Sequence, residues 1–178
     1  MRSLTASPSS PLLQSSHAYR AIFWAGWVAG TVDITVQSVL FGLRGKTPVY
    51  LLQAIAGGWF GESSFQGGVA TALLGAFFHF LIAFTAAAVF YLASRGLTLL
   101  VRRPIPSGVL YGVVVYGFMT FVVLPLSAYH TKIALPPVAK LVRDAGLHIL
   151  LIGLPISLMV RKYSDGRLPR ASAMKMNS

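Results

Sequence analysis

The stretch "VATALLGAFFHFLIAFTAAAVFYLA", residues 69–93, runs for twenty-five residues without an acidic or basic side chain other than one histidine. As a helix rising about 1.5 Å per residue it is longer than the ~30 Å hydrocarbon core of a bilayer is thick. Backbone in that medium must satisfy its own hydrogen bonds, so the run is predicted to be a transmembrane helix. Three further segments meet the same test of length and hydropathy. They are residues 21–43, residues 108–128 ("GVLYGVVVYGFMTFVVLPLSA") and the shorter residues 141–160. The expected fold class is therefore an all-α integral membrane protein with four transmembrane helices.

Composition agrees with this reading. The 178-residue chain is 55% hydrophobic and only 11% charged, with a mean hydropathy of +0.69. A soluble domain of that size covers its surface with far more charge. The net charge of +11 does not indicate nucleic acid, because the basic residues lie scattered between apolar runs rather than on one face. They fit flanks and loops that meet anionic lipid. Cysteine is absent, which excludes disulfides, thiolate catalysis and thiol-ligated metal.

The expected organisation is a polar, disordered cytoplasmic tail over residues 1–18, a transmembrane domain over residues 19–162 and a basic cytoplasmic tail over residues 163–178. The first tail lacks the apolar core of a cleaved signal peptide, so the first helix is expected to serve as the insertion signal. Between the first two spans lies "KTPVYLLQAIAGGWFGESSFQGG", apolar but interrupted by Pro48 and five glycines. A helix beginning after Pro48 reads as an interfacial surface helix, with a re-entrant dip into the membrane as the alternative. The loop after the third span is expected to hold a similar short helix. Ten of the fifteen basic residues fall on the side of the two termini and five on the other. The positive-inside bias then places both termini in the cytoplasm of a multi-pass bacterial inner-membrane protein.

Asp33 is the residue that needs explaining. It lies ten residues before Leu43, the end of the first span, and His79 lies ten residues after Val69, the start of the second. Both sit about 15 Å below the same interface, near the midplane. His148 is about a turn shallower on the fourth span, Tyr116 and Thr120 bracket the level on the third, and Gln37 is one turn above Asp33. A lone carboxylate in hydrocarbon costs several kcal/mol, so Asp33 should face the bundle, with His79 as the expected partner. Such a pair serves as structural glue between helices, as a proton relay or as a ligand site.

Gly26 and Gly30 on the first span, and Gly108 and Gly112 on the third, are Gly-x-x-x-Gly pairs that allow close helix packing. Each is followed on the next span by a histidine, an echo that suggests two parallel helix–loop–helix repeats. Pro125 and Pro155 should kink their helices. Trp24, Trp27, Trp59 and Tyr129 suit interfacial belts. No catalytic triad, phosphate loop or HExxH motif is present, so no catalytic residue and no metal ligand set is assigned. No cofactor is required; a b-type haem between His79 and His148 is the alternative.

At "GWVAGTVDI", "LLQAIAGGWFG…FQGG", "LLGAFFHFLIA" and "VVLPLSA…GLHILLIGLPISL" the chain resembles a family of bacterial four-helix inner-membrane proteins to which no activity is attached. The likeness covers about residues 20–162. It is more distantly similar to the YagU-like inner-membrane proteins, through a Gly-rich first helix and histidines opening the second and fourth. Asp33 departs from that second family, and the acidic residues of that family are missing here. The resemblance implies location and architecture but no chemistry. The expectation is a non-enzymatic membrane or accessory component; a proton-linked small-solute carrier or channel acting as a homo-oligomer, and a haem-binding protein, are the alternatives.

Overall fold

The structure, a computed structural model, describes the backbone of residues 11–164 and the side chains of residues 17–164. Among the described residues every regular element is helical. Five helices organise the chain: α1 (Pro11–Gly42), α2 (Pro48–Phe60), α3 (Gly68–Gly96), α4 (Pro104–Leu126) and α5 (Val138–Ser164). A 3₁₀ turn, Gly61–Gln66, joins α2 to α3, and a single helical turn, Leu99–Arg102, precedes α4.

Three of these helices, α3, α4 and α5, are long and apolar enough to cross a membrane. Helix α1 is longer, at 32 residues, but is not among them. Its second half carries Thr31, Asp33, Thr35, Gln37 and Ser38, which dilute its hydropathy. It extends upstream to Pro11, beyond the expected residue 21 and into the stretch expected to be a tail. The remainder of that stretch, residues 1–10, and the end of the expected basic tail, residues 165–178, lie outside the described residues.

Local chemistry fixes the ends. Thr47 caps α2 by accepting a hydrogen bond from the Tyr50 amide at 3.1 Å, and Pro48 occupies the first turn, where its missing N–H costs nothing. Pro104 starts α4 in the same way, four residues before the expected start. Helix α5 begins at Val138 because its first turns are held by Asp144, which accepts from Lys140 Nζ at 2.7 Å and Arg143 Nε at 2.8 Å. The expected separate helix in the preceding loop is thus the opening of α5 itself.

Pro125 and Pro155 each follow a π-helical stretch. In α4 it is Met119–Val123 and in α5 Ile149–Gly153. The amides of Leu124 and Leu154 reach back five residues, to the carbonyls of Met119 and Ile149. A proline ring crowds the carbonyl four residues upstream, and widening the turn by one residue relieves that crowding.

The helices α1, α3, α4 and α5 form an antiparallel bundle. Ala21, Ala25 and Ala29 of α1 are fully buried in a core with Phe90 of α3 and Ile152, Ile156 and Val160 of α5. Glycines bring the axes close. A methyl group on Gly112 would stand 2.5 Å from the Ile149 Cα, and one on Gly108 would stand 2.5 Å from the Ser157 Oγ. At Gly26 and Gly30 the rings of Phe84 and Phe80 of α3 take the corresponding space. Outward-facing side chains are apolar: Leu73 is 67% exposed, Phe77 61% and Leu110 62%. That surface belongs in lipid.

This core fills one half of the bundle, the half where Arg20, Arg95 and Arg161 emerge. In the other half the buried core thins out, although Gly112 of α4 still meets the α5 backbone at His148 and Ile149 and Gly30 of α1 still meets Phe80 of α3, and α2 packs against α3 there. Helix α2 is tied down by Tyr129, whose hydroxyl donates to the Ala54 carbonyl at 2.8 Å, and by Gln53, whose Nε2 donates to the Gly68 carbonyl at 3.0 Å. The amide of Ala128 donates to the Gly58 carbonyl at 2.8 Å. Gly75 of α3 lies directly against the Leu52 backbone.

Candidate functional site

The open half of the bundle contains a cavity of about 430 Å³, lined by residues of all five helices. Its walls are mostly apolar, with Phe41, Leu51, Ile55 and Met119 among them. The polar groups on it are Asp33 and Gln37 of α1, His79 of α3 and His148 of α5. The depth argument from sequence thus concerns residues that face one space.

The bonding differs from a simple Asp–His pair. His79 Nε2 donates to the Gly30 carbonyl at 2.8 Å. A carbonyl only accepts, so this nitrogen carries the proton, and Nδ1 is the acceptor of the neutral ring. Gly30 permits the contact because it has no side chain: a Cβ there would stand 2.9 Å from the Phe80 ring and 3.2 Å from Ala83 Cβ. Gly30, the second glycine of the first packing pair, therefore also supplies the acceptor that places a proton on Nε2 of His79.

His148 is oriented in the same manner by its own helix. Its Nδ1 donates to the Asp144 carbonyl at 2.9 Å, so Nε2 is the nitrogen left over, an acceptor whenever the ring is neutral. Its ring meets that of Tyr116 edge-on, with centroids 5.4 Å apart. The Tyr116 ring is buried and its hydroxyl has no hydrogen-bond partner among the described residues. Tyr116 therefore supports His148 from behind, and Thr120 does not line the cavity.

Asp33 shares the cavity wall with the Gln37 side chain one turn on and with the imidazoles of His79 and His148. No ion pair joins it to either ring among the described residues. The carboxyl thus faces two imidazoles without being locked to one. Each imidazole is held by a backbone carbonyl, and each keeps a second ring nitrogen, an acceptor whenever the ring is neutral. No group of three or more His, Asp or Glu side chains is arranged to hold a metal ion among the described residues.

Sequence reasoning missed the α2 wall, Leu51 and Ile55, and the carbonyl of Gly30. A signal for the second was present, since a glycine in a packing motif exposes its own carbonyl to the neighbouring helix. No family model, curated protein or solved structure matches the chain.

Proposed function

We propose that this is a four-span bacterial inner-membrane protein that binds a small cation in the Asp33–His79–His148 cavity and exchanges it for a proton. The reading is non-enzymatic. One observation carries it: the carboxyl of Asp33 and two imidazoles from separate helices line one largely apolar space. A carboxylate there needs a counter-charge, which a proton or a cation supplies. The acceptor nitrogens left on His79 and His148 favour a cation that bears N–H donors.

In this reading α1 is the fourth span, its polar half facing the cavity rather than lipid. Helix α2 covers the cavity from the outer side as an interfacial element. Both termini are cytoplasmic, where the basic flanks meet anionic lipid. Four helices enclose a single site, so carriage of the cation across the membrane is assigned to a homo-oligomer.

The test uses vesicles loaded with methylguanidinium, which stays charged and crosses lipid poorly, and a pH-sensitive dye. An outward gradient of the cation should acidify the interior of vesicles carrying the wild-type protein. Vesicles with Asp33→Asn and empty vesicles should show no such change. Identical traces from all three would end the proposal.

A further inference from the structure

A second recess lies on the lipid-facing side of the bundle, between α3 and α4. It measures about 500 Å³ and is lined by side chains such as Leu81, Thr85, Val89, Val114 and Phe118. Its polar groups are already satisfied. Thr85 Oγ1 donates to the Leu81 carbonyl at 2.7 Å, and the Tyr111 hydroxyl donates to the Ala86 carbonyl at 2.7 Å. What remains is an apolar groove in the part of the protein that faces hydrocarbon.

Four residues, Ile82, Ala86, Val115 and Met119, line both this groove and the polar cavity. The partition between the two spaces is therefore one side chain thick. Ala86 offers only a methyl group there. Met119 is unbranched, with three rotatable bonds, and opens the π-helical stretch of α4. The two ends of the bundle are packed more thickly. One end of the bundle is filled by Phe90, Ile156 and Val160, all buried. The other is covered by α2, which three hydrogen bonds hold in place.

From this juxtaposition we infer that the ligand enters from the bilayer through the α3–α4 partition and is a single-chain amphiphile with an N–H-bearing cationic head. The head meets Asp33, His79 and His148, and the tail occupies the groove. Charge complementarity selects the head, because the cavity offers one carboxyl and two imidazole acceptors. Continuity selects the tail, since an alkyl chain leaving the head through the partition runs directly into an apolar channel open to lipid. The inference rests on the reading of the cavity as a cation site and adds to it the class of ligand and its route.

The experiment titrates the full chain in lipid nanodiscs, by calorimetry, with methylguanidinium and with dodecylguanidinium. Empty nanodiscs are subtracted, and affinities for the long-chain cation are referred to its concentration in the membrane. Two variants fill the groove without touching the cavity, Thr85→Trp and Val89→Trp. The expected result is that each lowers the affinity for dodecylguanidinium by about tenfold or more while leaving methylguanidinium binding unchanged. Asp33→Asn should abolish both. Methylguanidinium binding that depends on Asp33, together with dodecylguanidinium binding that is weaker or indifferent to both tryptophans, would overturn the lateral route and leave the cation site standing. Failure of both cations to bind the wild-type protein would overturn both.

Discussion

Replacing Gly112 by alanine tests how the α4–α5 contact is made. A Cβ at this position would stand 2.5 Å from the Ile149 Cα, 2.8 Å from its amide nitrogen and 2.9 Å from the His148 carbonyl oxygen. All three are backbone atoms of α5 and cannot rotate away. Ordinary contact begins near 3.4 Å, so the helices must separate by about 1 Å at the level of His148. Overpacking of this kind costs about 1–3 kcal/mol. Gly117 lies on the same helix, five residues on, with nothing within 4 Å of the position a Cβ would take. Alanine there gains helix propensity, between zero and about 1 kcal/mol. The assay is reversible unfolding of both variants in mixed detergent micelles, monitored by circular dichroism. Gly112→Ala should be the less stable by about 1–4 kcal/mol. Equal stabilities would mean that α4 and α5 do not meet through this glycine.

Two further substitutions address the cover and the kink. Tyr129→Phe removes the donor to the Ala54 carbonyl and should cost about 1 kcal/mol, seen as faster hydrogen exchange confined to α2. Burial, reinforced by nearby Tyr50 and Glu62, pushes the Tyr129 hydroxyl above its ordinary value of 10.0. This contact is therefore complete below that ordinary value and is lost as pH rises through the raised one. Pro155→Ala removes the ring that crowds the Leu151 carbonyl and lets the Ile149–Gly153 stretch relax to an α-helix. Losing one residue from a turn rotates His148 by about 100° relative to the half that follows. Methylguanidinium binding should be lost. Retained binding would show that packing at Gly112 and Gly153, rather than the proline, sets the π-helical stretch.

Much of the architecture was legible because lipid is an unforgiving solvent. Residues 69–93 could only be a helix, and α3 is that helix with one residue added at its start and three at its end. The ends of α4 and α5 were less legible, since Pro104 and the Lys140–Arg143–Asp144 ion pairs extend helices beyond their apolar runs. Depth counting drew Asp33, His79 and His148 toward one level because helical rise converts sequence distance into height. It could not give rotation about the axis, which decides that Thr120 misses the cavity and that His79 bonds the Gly30 carbonyl. The α2 wall was illegible for a related reason: the approach of Leu52 to Gly75 is a tertiary fact with no local period. The two prolines announced a disturbance in their helices, yet nothing in their neighbourhoods specified a widened turn over a kink.

The exchange of a proton for a cation at Asp33, His79 and His148 is tested most directly by counting protons. The wild-type protein and Asp33→Asn would be titrated with methylguanidinium in nanodiscs, in two buffers with different heats of ionisation. The account predicts that the binding heat of the wild type depends on the buffer, by an amount equal to release of about one proton per cation bound, and that Asp33→Asn gives no binding heat. Binding whose heat is the same in both buffers, or that survives in Asp33→Asn, would contradict it.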